Sequence, residues 1–319
     1  MIKQIYAILR LTRWVNLVII ALSMMLFQYC VIHTYLNAAD IPLTMSAPYF
    51  AMLVLAVVLI AAGGNVVNDY LDYEQDTEHR PDRVIIGKDI SLDTAFNLQL
   101  GLNVGGILIG FFLAWHFDHL RLGYIFITAV AMLWLYSQTL KKYFLIGNVL
   151  IAALSAIVFV MPVLFEPRLS DYFQTDYQEM AAHSIHVQLK LYCFFAFMVS
   201  LMREIVKDAE DRGADMAYNM KTLPAVLPLW AVNTVVVLLM LMTAGVIAYV
   251  EVFFWQHGLK KHFWFSIFFL QFPLVTNMFT VIPARNSKDY HNISVLLKLL
   301  MFFGLLSMPV YYLFIMVWK

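Results

Sequence analysis

The chain has 319 residues, 62% of them hydrophobic and 13% charged, with a mean hydropathy of +0.75. Soluble domains carry about 25% charged residues, so a water-soluble globular protein is excluded. Lys and Arg number 21, as do Asp and Glu; with no net charge, nothing points to nucleic acid as a partner.

The apolar residues fall in long blocks, and a membrane-crossing helix needs about 20 of them. In chain order the predicted spans are 14–36, 49–67, 92–117, 122–140, 145–165, 187–206, 229–254, 263–283 and 293–318. The first follows Lys3, Arg10 and Arg13. It is longer than the 7–15-residue apolar core of a signal peptide, so it reads as a retained helix. The sixth is the least uniform, with Lys190 near one end and Arg203 and Glu204 near the other. The stretch 166–186 before it reads as polar and irregular. Cys30 and Cys193 each fall inside a span and give neither a disulfide framework nor zinc-ligand spacing. The expectation is an all-α integral membrane protein: one domain, residues 1–319, of about nine transmembrane helices around a central intramembrane cavity.

Basic residues sort by side. Fourteen Lys and Arg fall in the N-terminal segment and alternate loops, five on the opposite side. This bias predicts a cytoplasmic N-terminus. Thirteen of the 21 acidic residues lie in two segments on that same side, 69–93 and 204–215. Ionisable groups beginning before an apolar helix has ended are costly and usually functional.

The first segment continues the second span. At about 100° per residue, Asn65, Asn68, Asp72 and Asp76 fall within roughly 80° of arc. In the second, Glu204, Asp208, Asp211 and Asp215 stand at i, i+4, i+7 and i+11, within roughly 60°. Like charges stacked on one helical face are destabilising unless a cation neutralises them, and a hard divalent ion with oxygen ligands does so most simply. Lys207 and Arg212 lie within the second stripe, and Arg80 and Arg83 follow the first. Acid to hold metal beside base to hold anion is the pattern of a metal-bridged phosphate site. A solvated acidic face is the plain alternative for either stripe alone. The histidine pairs His116/His119 and His183/His186 read as surface residues of the opposite side.

Asn68-x-x-x-Asp72-x-x-x-Asp76, followed by Arg80-Pro81-Asp82-Arg83, resembles the first signature of UbiA-type membrane prenyltransferases. Lys207-Asp208-x-x-Asp211-x-x-x-Asp215, followed by Lys221-Thr222-Leu223-Pro224, resembles the second. Tyr136-Ser137-x-x-Leu140-Lys141 and Gly147-Asn148 resemble a further family segment after the fourth helix. Two departures stand out. Val15 replaces a proline in the Arg13-Trp14-Val15-Asn16 entry to the first helix, and Val84-Ile85-Ile86-Gly87-Lys88 replaces a proline-rich continuation after Arg83. Among branches, the archaeal-type geranylgeranylglyceryl phosphate geranylgeranyltransferases are most similar.

The resemblance implies Mg²⁺-dependent transfer of a prenyl group from an isoprenyl diphosphate donor to a lipophilic acceptor, such as a glycerol phosphate ether-lipid precursor. It implies Asp72, Asp76, Asp208 and Asp211 as catalytic, metal-facing carboxylates, with Asn68 and Asp215 supporting the metal. Arg80, Arg83, Lys141 and Lys207 are the candidate diphosphate contacts, with Lys142 an alternative to Lys141. Asn16 and Tyr136 join the substrate-binding set, and the allylic cation would lie against aromatic faces. Membrane lipid is the remaining partner, and the active-site loops are expected on the cytoplasmic side. Two other readings stand beside this one: an aromatic prenyltransferase of quinone or haem biosynthesis, and a cation-coupled secondary transporter. Transporters tend to place coupling acids near the bilayer midplane, whereas these stripes lie at one surface.

Overall fold

A computed structural model describes residues 2–79, 84–166, 169 and 175–313. Arg80 and Arg83 lie outside the described residues. The elements in order are α1 (Ile2–Leu11), α2 (Trp14–Ala38), α3 (Ala47–Leu71), α4 (Tyr73–His79), α5 (Leu92–His116), α6 (Leu120–Gln138), α7 (Ile146–Leu164), α8 (Asp176–Ala217), α9 (Leu223–Val226), α10 (Leu229–Gln256), α11 (Lys260–Val281) and α12 (Ser287–Tyr312). Nine of these, all but α1, α4 and α9, are long and apolar enough to cross a membrane, at the places the hydropathy blocks predict. No strand occurs among the described residues, and the protein is an all-α, multi-pass integral membrane protein.

Helix starts follow local chemistry. Ser91 and Thr175 precede α5 and α8 and accept from the backbone N–H three residues on, while Asn286 and Asp289 close a capping box on α12. Each cap satisfies amide groups that the first turn leaves without partners. The Thr175 cap, with Asp176 and Glu179 favoured by the positive N-terminal end of the helix, explains the largest departure from expectation. The stretch expected to be irregular up to residue 186 is helical from Asp176, and one 42-residue helix runs through to Ala217. Charges at 203–215 do not end it, because they line stripes along its surface and leave its apolar side intact.

The chain packs as two compact units. In the first (Met1–Met25, Ile41–Leu140, Met161–Phe173), α3 and α5 approach closely. A Cβ on Gly106 would meet the Ala56 carbonyl at 2.9 Å, and one on Gly63 would collide with the Asn103 side chain. Small residues permit this contact between membrane helices, where packing replaces hydrophobic drive. At the opposite end of this unit, buried Glu166 accepts the Thr44 and Met45 N–H groups at 2.9 and 3.2 Å. In the second unit (Leu26–Asp40, Lys141–Val160, Gln174–Lys319), α8 packs against α10 and α12 around Met198, Met202, Ile205, Val236, Leu297 and Leu300. Buried Tyr290 donates its hydroxyl to Asn233 Oδ1 at 2.8 Å, and Asn233 donates to the Ala284 carbonyl at 3.0 Å.

Candidate active site

In the first unit the acidic stripe runs down the last turns of α3 and into α4. The helix is interrupted at Asp72 (φ −90°, ψ 0°), but the i→i−4 register persists. Asp72 N–H donates to the Asn68 carbonyl at 3.0 Å and Asp76 N–H to the Asp72 carbonyl at 2.8 Å. Asn68, Asp72 and Asp76 therefore remain on one half-buried face, as the spacing predicts. Asn68 Nδ2 donates to Asp72 Oδ2 at 3.2 Å, fixing one carboxylate oxygen.

Two neighbours on α3 have structural partners instead. Asn65 Nδ2 donates to the Thr12 carbonyl at 2.9 Å, and Arg13 Nη2 meets Asp69 Oδ1 at 2.7 Å. Both contacts hold the turn between α1 and α2, where Arg13 has φ +54°. Half-buried Asn16 follows in the first turn of α2. The departing loop after Arg83 has its own explanation. Ile85, Ile86 and Ile90 are buried with Ala7, Leu11 and Val66, and Gly87 turns at φ +85° where a Cβ would strike the Tyr73 ring. The loop is an apolar plug under the stripe, so it needs aliphatic residues and one glycine.

In the second unit the whole acidic stripe is on α8. Asp208 Oδ2 accepts from Asn148 Nδ2 at 2.7 Å. Asn148 is buried in the first turn of α7, so α7 orients a carboxylate of α8. One turn before, Glu204 is buried and pairs with Arg203 at 3.3 Å. Toward the end of α8, Asp211 is half-buried. Asp215 is buried and accepts the Thr222 hydroxyl at 2.8 Å. Asp215 therefore also pins the turn that ends the helix, in which Asn219 has φ +53°. The Lys221 N–H donates to the Lys142 carbonyl at 2.9 Å, so this turn and the 140–142 turn are joined. There Lys141 is half-buried and Lys142 exposed. Lys207, beside Asp208, is half-buried. Tyr136 is half-buried near the end of α6 in the first unit.

Asn148 falls in the Gly147-Asn148 motif, which by itself assigns it no role. Its signal was present: a lone amide at the start of an otherwise apolar helix needs a polar partner once buried. Each stripe thus has one aspartate anchored by an asparagine amide, Asp72 by Asn68 and Asp208 by Asn148. The donor set is oxygen only, which suits a hard ion such as Mg²⁺. Among the described residues no group of three or more His, Cys, Asp and Glu is gathered to hold a metal.

The chain is similar to known proteins over most of its length. Residues 30–306 match the model of the UbiA prenyltransferase family. A digeranylgeranylglyceryl phosphate synthase of Methanobrevibacter smithii is 31% identical over 59% of this chain and 59% of its own length. That of Methanoculleus marisnigri is 33% identical over 70% and 69%, and that of Thermococcus kodakarensis 28% over 81% and 83%. The match to the first thus spans less than two thirds of that relative. Among solved structures, one of digeranylgeranylglyceryl phosphate synthase in membranes aligns with TM-score 0.63 at 20% identity, covering 97% of this chain and 99% of that one. A UbiA homolog from Archaeoglobus fulgidus bound to GPP and Mg²⁺ aligns with TM-score 0.60 at 12% identity, covering 95% and 99%. At these identities the structures establish the fold. From the family match over most of its length, the chain belongs to the UbiA prenyltransferase family.

Proposed function

We propose that the chain catalyses Mg²⁺-dependent transfer of a prenyl group from an allylic isoprenyl diphosphate to a lipophilic acceptor, with a glycerol phosphate ether-lipid precursor as that acceptor. The observation that carries this reading is the pair of acidic stripes, each with one aspartate oriented by an asparagine amide. The names of the relatives support the acceptor class.

Asp72, Asp76, Asp208 and Asp211 are the metal-facing carboxylates, with Asn68 and Asp215 in support. When bound, Mg²⁺ supplies positive charge against the diphosphate as it departs. Lys141 and Lys207, together with Arg80 and Arg83, bind diphosphate oxygens through charge-assisted hydrogen bonds. The bond from the allylic carbon to the diphosphate oxygen breaks, the acceptor hydroxyl oxygen bonds to that carbon, and the hydroxyl proton passes to the released diphosphate. Tyr136 and Asn16 help position the substrates, and an aromatic face lowers the energy of positive charge on the allylic carbon. A membrane setting suits the reaction, because both substrates have long apolar chains and water would intercept the cation.

Both acidic stripes and the N-terminus are assigned to the cytoplasmic side from the basic bias. A reporter fused after Lys319 should be on the opposite side; a cytoplasmic signal would refute this assignment. The function itself is tested with purified protein in nanodiscs, Mg²⁺, labelled isoprenyl diphosphates and geranylgeranylglyceryl phosphate. The expected result is Mg²⁺-dependent diphosphate release with a labelled ether-lipid product. No product with this acceptor, but product with an aromatic acid, would move the chain to quinone chemistry. Ion uptake into proteoliposomes without diphosphate release would favour a transporter.

A further inference from the structure

A second set of charges on α8 lies away from the aspartate stripe. Arg203, Lys207 and Glu210 stand at i, i+4 and i+7, about 100° around the helix from the Asp208 face. This is the side facing α12. The two helices run antiparallel, since Tyr192 meets Ser307 at 2.9 Å and Glu210 meets His291 at 3.2 Å. Counting seven residues from the second contact along each helix, toward the first, gives Arg203 and Lys298. The two cations therefore stand at one level, about 10 Å further along the helix pair.

Lys298 is within electrostatic reach of Arg203 and Lys207, and of Glu204 and Glu210. Glu204 is paired with Arg203 and Glu210 with His291, so the two carboxylates are already engaged. The buried Nε of Arg203 has no hydrogen-bond partner among the described residues. Lys298 itself is exposed, on a surface it shares with exposed Val295, Leu296, Leu299 and Phe302. A lysine within an apolar, lipid-facing helix surface is costly and usually functional. Placing it level with an arginine raises that cost unless an anion lies between them.

We infer that Arg203 and Lys298 form a binding site for the phosphate of the lipid acceptor, reached from the bilayer along α12. This inference rests on the prenyl-transfer reading above and names how that reaction would recognise its acceptor. The site fits a phosphate on a lipid for two reasons. Two cations at one level match the charge of a dianion, and the exposed apolar surface beside Lys298 receives the acceptor's chain. Lys207, the proposed donor contact one turn from Arg203, lies between this site and the metal-facing stripe along α8. The acceptor hydroxyl, only a few bonds from its phosphate, would thereby be held near the reacting carbon.

The test is two-substrate kinetics in nanodiscs with Lys298→Met, which keeps the apolar stem, and Lys298→Arg, which keeps the charge. For Lys298→Met the KM for geranylgeranylglyceryl phosphate should rise at least about tenfold, a single charge-assisted contact, with the donor KM and half-saturating Mg²⁺ unchanged. Lys298→Arg should restore most of the affinity. Lys298→Met should also lose preference for the phosphorylated acceptor over the same glycerol ether lacking phosphate. An unchanged acceptor KM in Lys298→Met would overturn the inference. So would an effect that appears only when the anionic lipid content of the nanodisc is varied, which would assign the cluster to bulk lipid headgroups. Failure of the broader reading would look different, because wild type would then release no diphosphate with this acceptor.

Discussion

Asn148, in the first turn of α7, donates its amide to Asp208 Oδ2 at 2.7 Å, so a buried neutral side chain on one helix fixes the orientation of a carboxylate on another. A neutral amide brings no charge of its own and occupies one carboxylate oxygen. A hydrogen bond to a charged group contributes about 1.5–3 kcal/mol. Asn148→Ala should therefore lower kcat/KM by roughly 10- to 100-fold. As a positioning effect it should also raise the Mg²⁺ concentration for half-maximal activity while leaving the donor-free melting temperature nearly unchanged. A lower melting temperature with unaltered Mg²⁺ dependence would make the contact structural only.

Adjacent acids on α3 should behave differently. Asp69 meets Arg13 at the turn between α1 and α2, whereas Asp72 is on the stripe face and accepts from Asn68. The Arg13–Asp69 pair is partly exposed, so its removal should cost at most about 1 kcal/mol of stability. Asp69→Asn should retain activity within about tenfold, while Asp72→Asn should abolish it. Equal losses in the two variants would show that the stripe does not separate functional from structural acids.

At the end of α8, Thr222 donates to the buried carboxylate of Asp215 at 2.8 Å. Thr222→Val leaves that carboxylate without the hydroxyl and should destabilise the protein by about 1–3 kcal/mol. Thermal melting in detergent or nanodiscs reads this directly. Turnover per folded molecule should fall far less than in Asp208→Asn, because the hydroxyl supports the turn at 218–222 and not the reacting groups. Loss of turnover without loss of stability would place Thr222 at the substrate.

The nine spans were legible because apolar run length reports directly on the bilayer, and the stripes because 3.6-residue periodicity survives even the interruption at Asp72. The beginning of α8 was not legible. A polar stretch with Thr175 and Asp176 reads equally as loop or as a capped helix until its packing is known. The partners of Asp208 and Asp215 were also hidden. Asn148 lies 60 residues from Asp208, and no periodicity links two elements that meet only through tertiary packing. The Val84–Lys88 departure has a packing role that sequence alone did not show, with Ile85 and Ile86 buried against α1 and α3.

The most direct measurement compares Mg²⁺-dependent diphosphate release by wild type, Asp72→Asn, Asp208→Asn and the double variant, each checked for folding by melting temperature. If both acidic stripes serve one reaction, each single variant should abolish turnover and the double variant should be barely worse, since groups acting as a unit are not additive. Wild type should also gain melting temperature with Mg²⁺ and donor together, because both bind only the folded state, and neither single variant should show the full gain. Single variants with near wild-type release, or losses that multiply in the double variant, would contradict the account and leave two independent acidic surfaces.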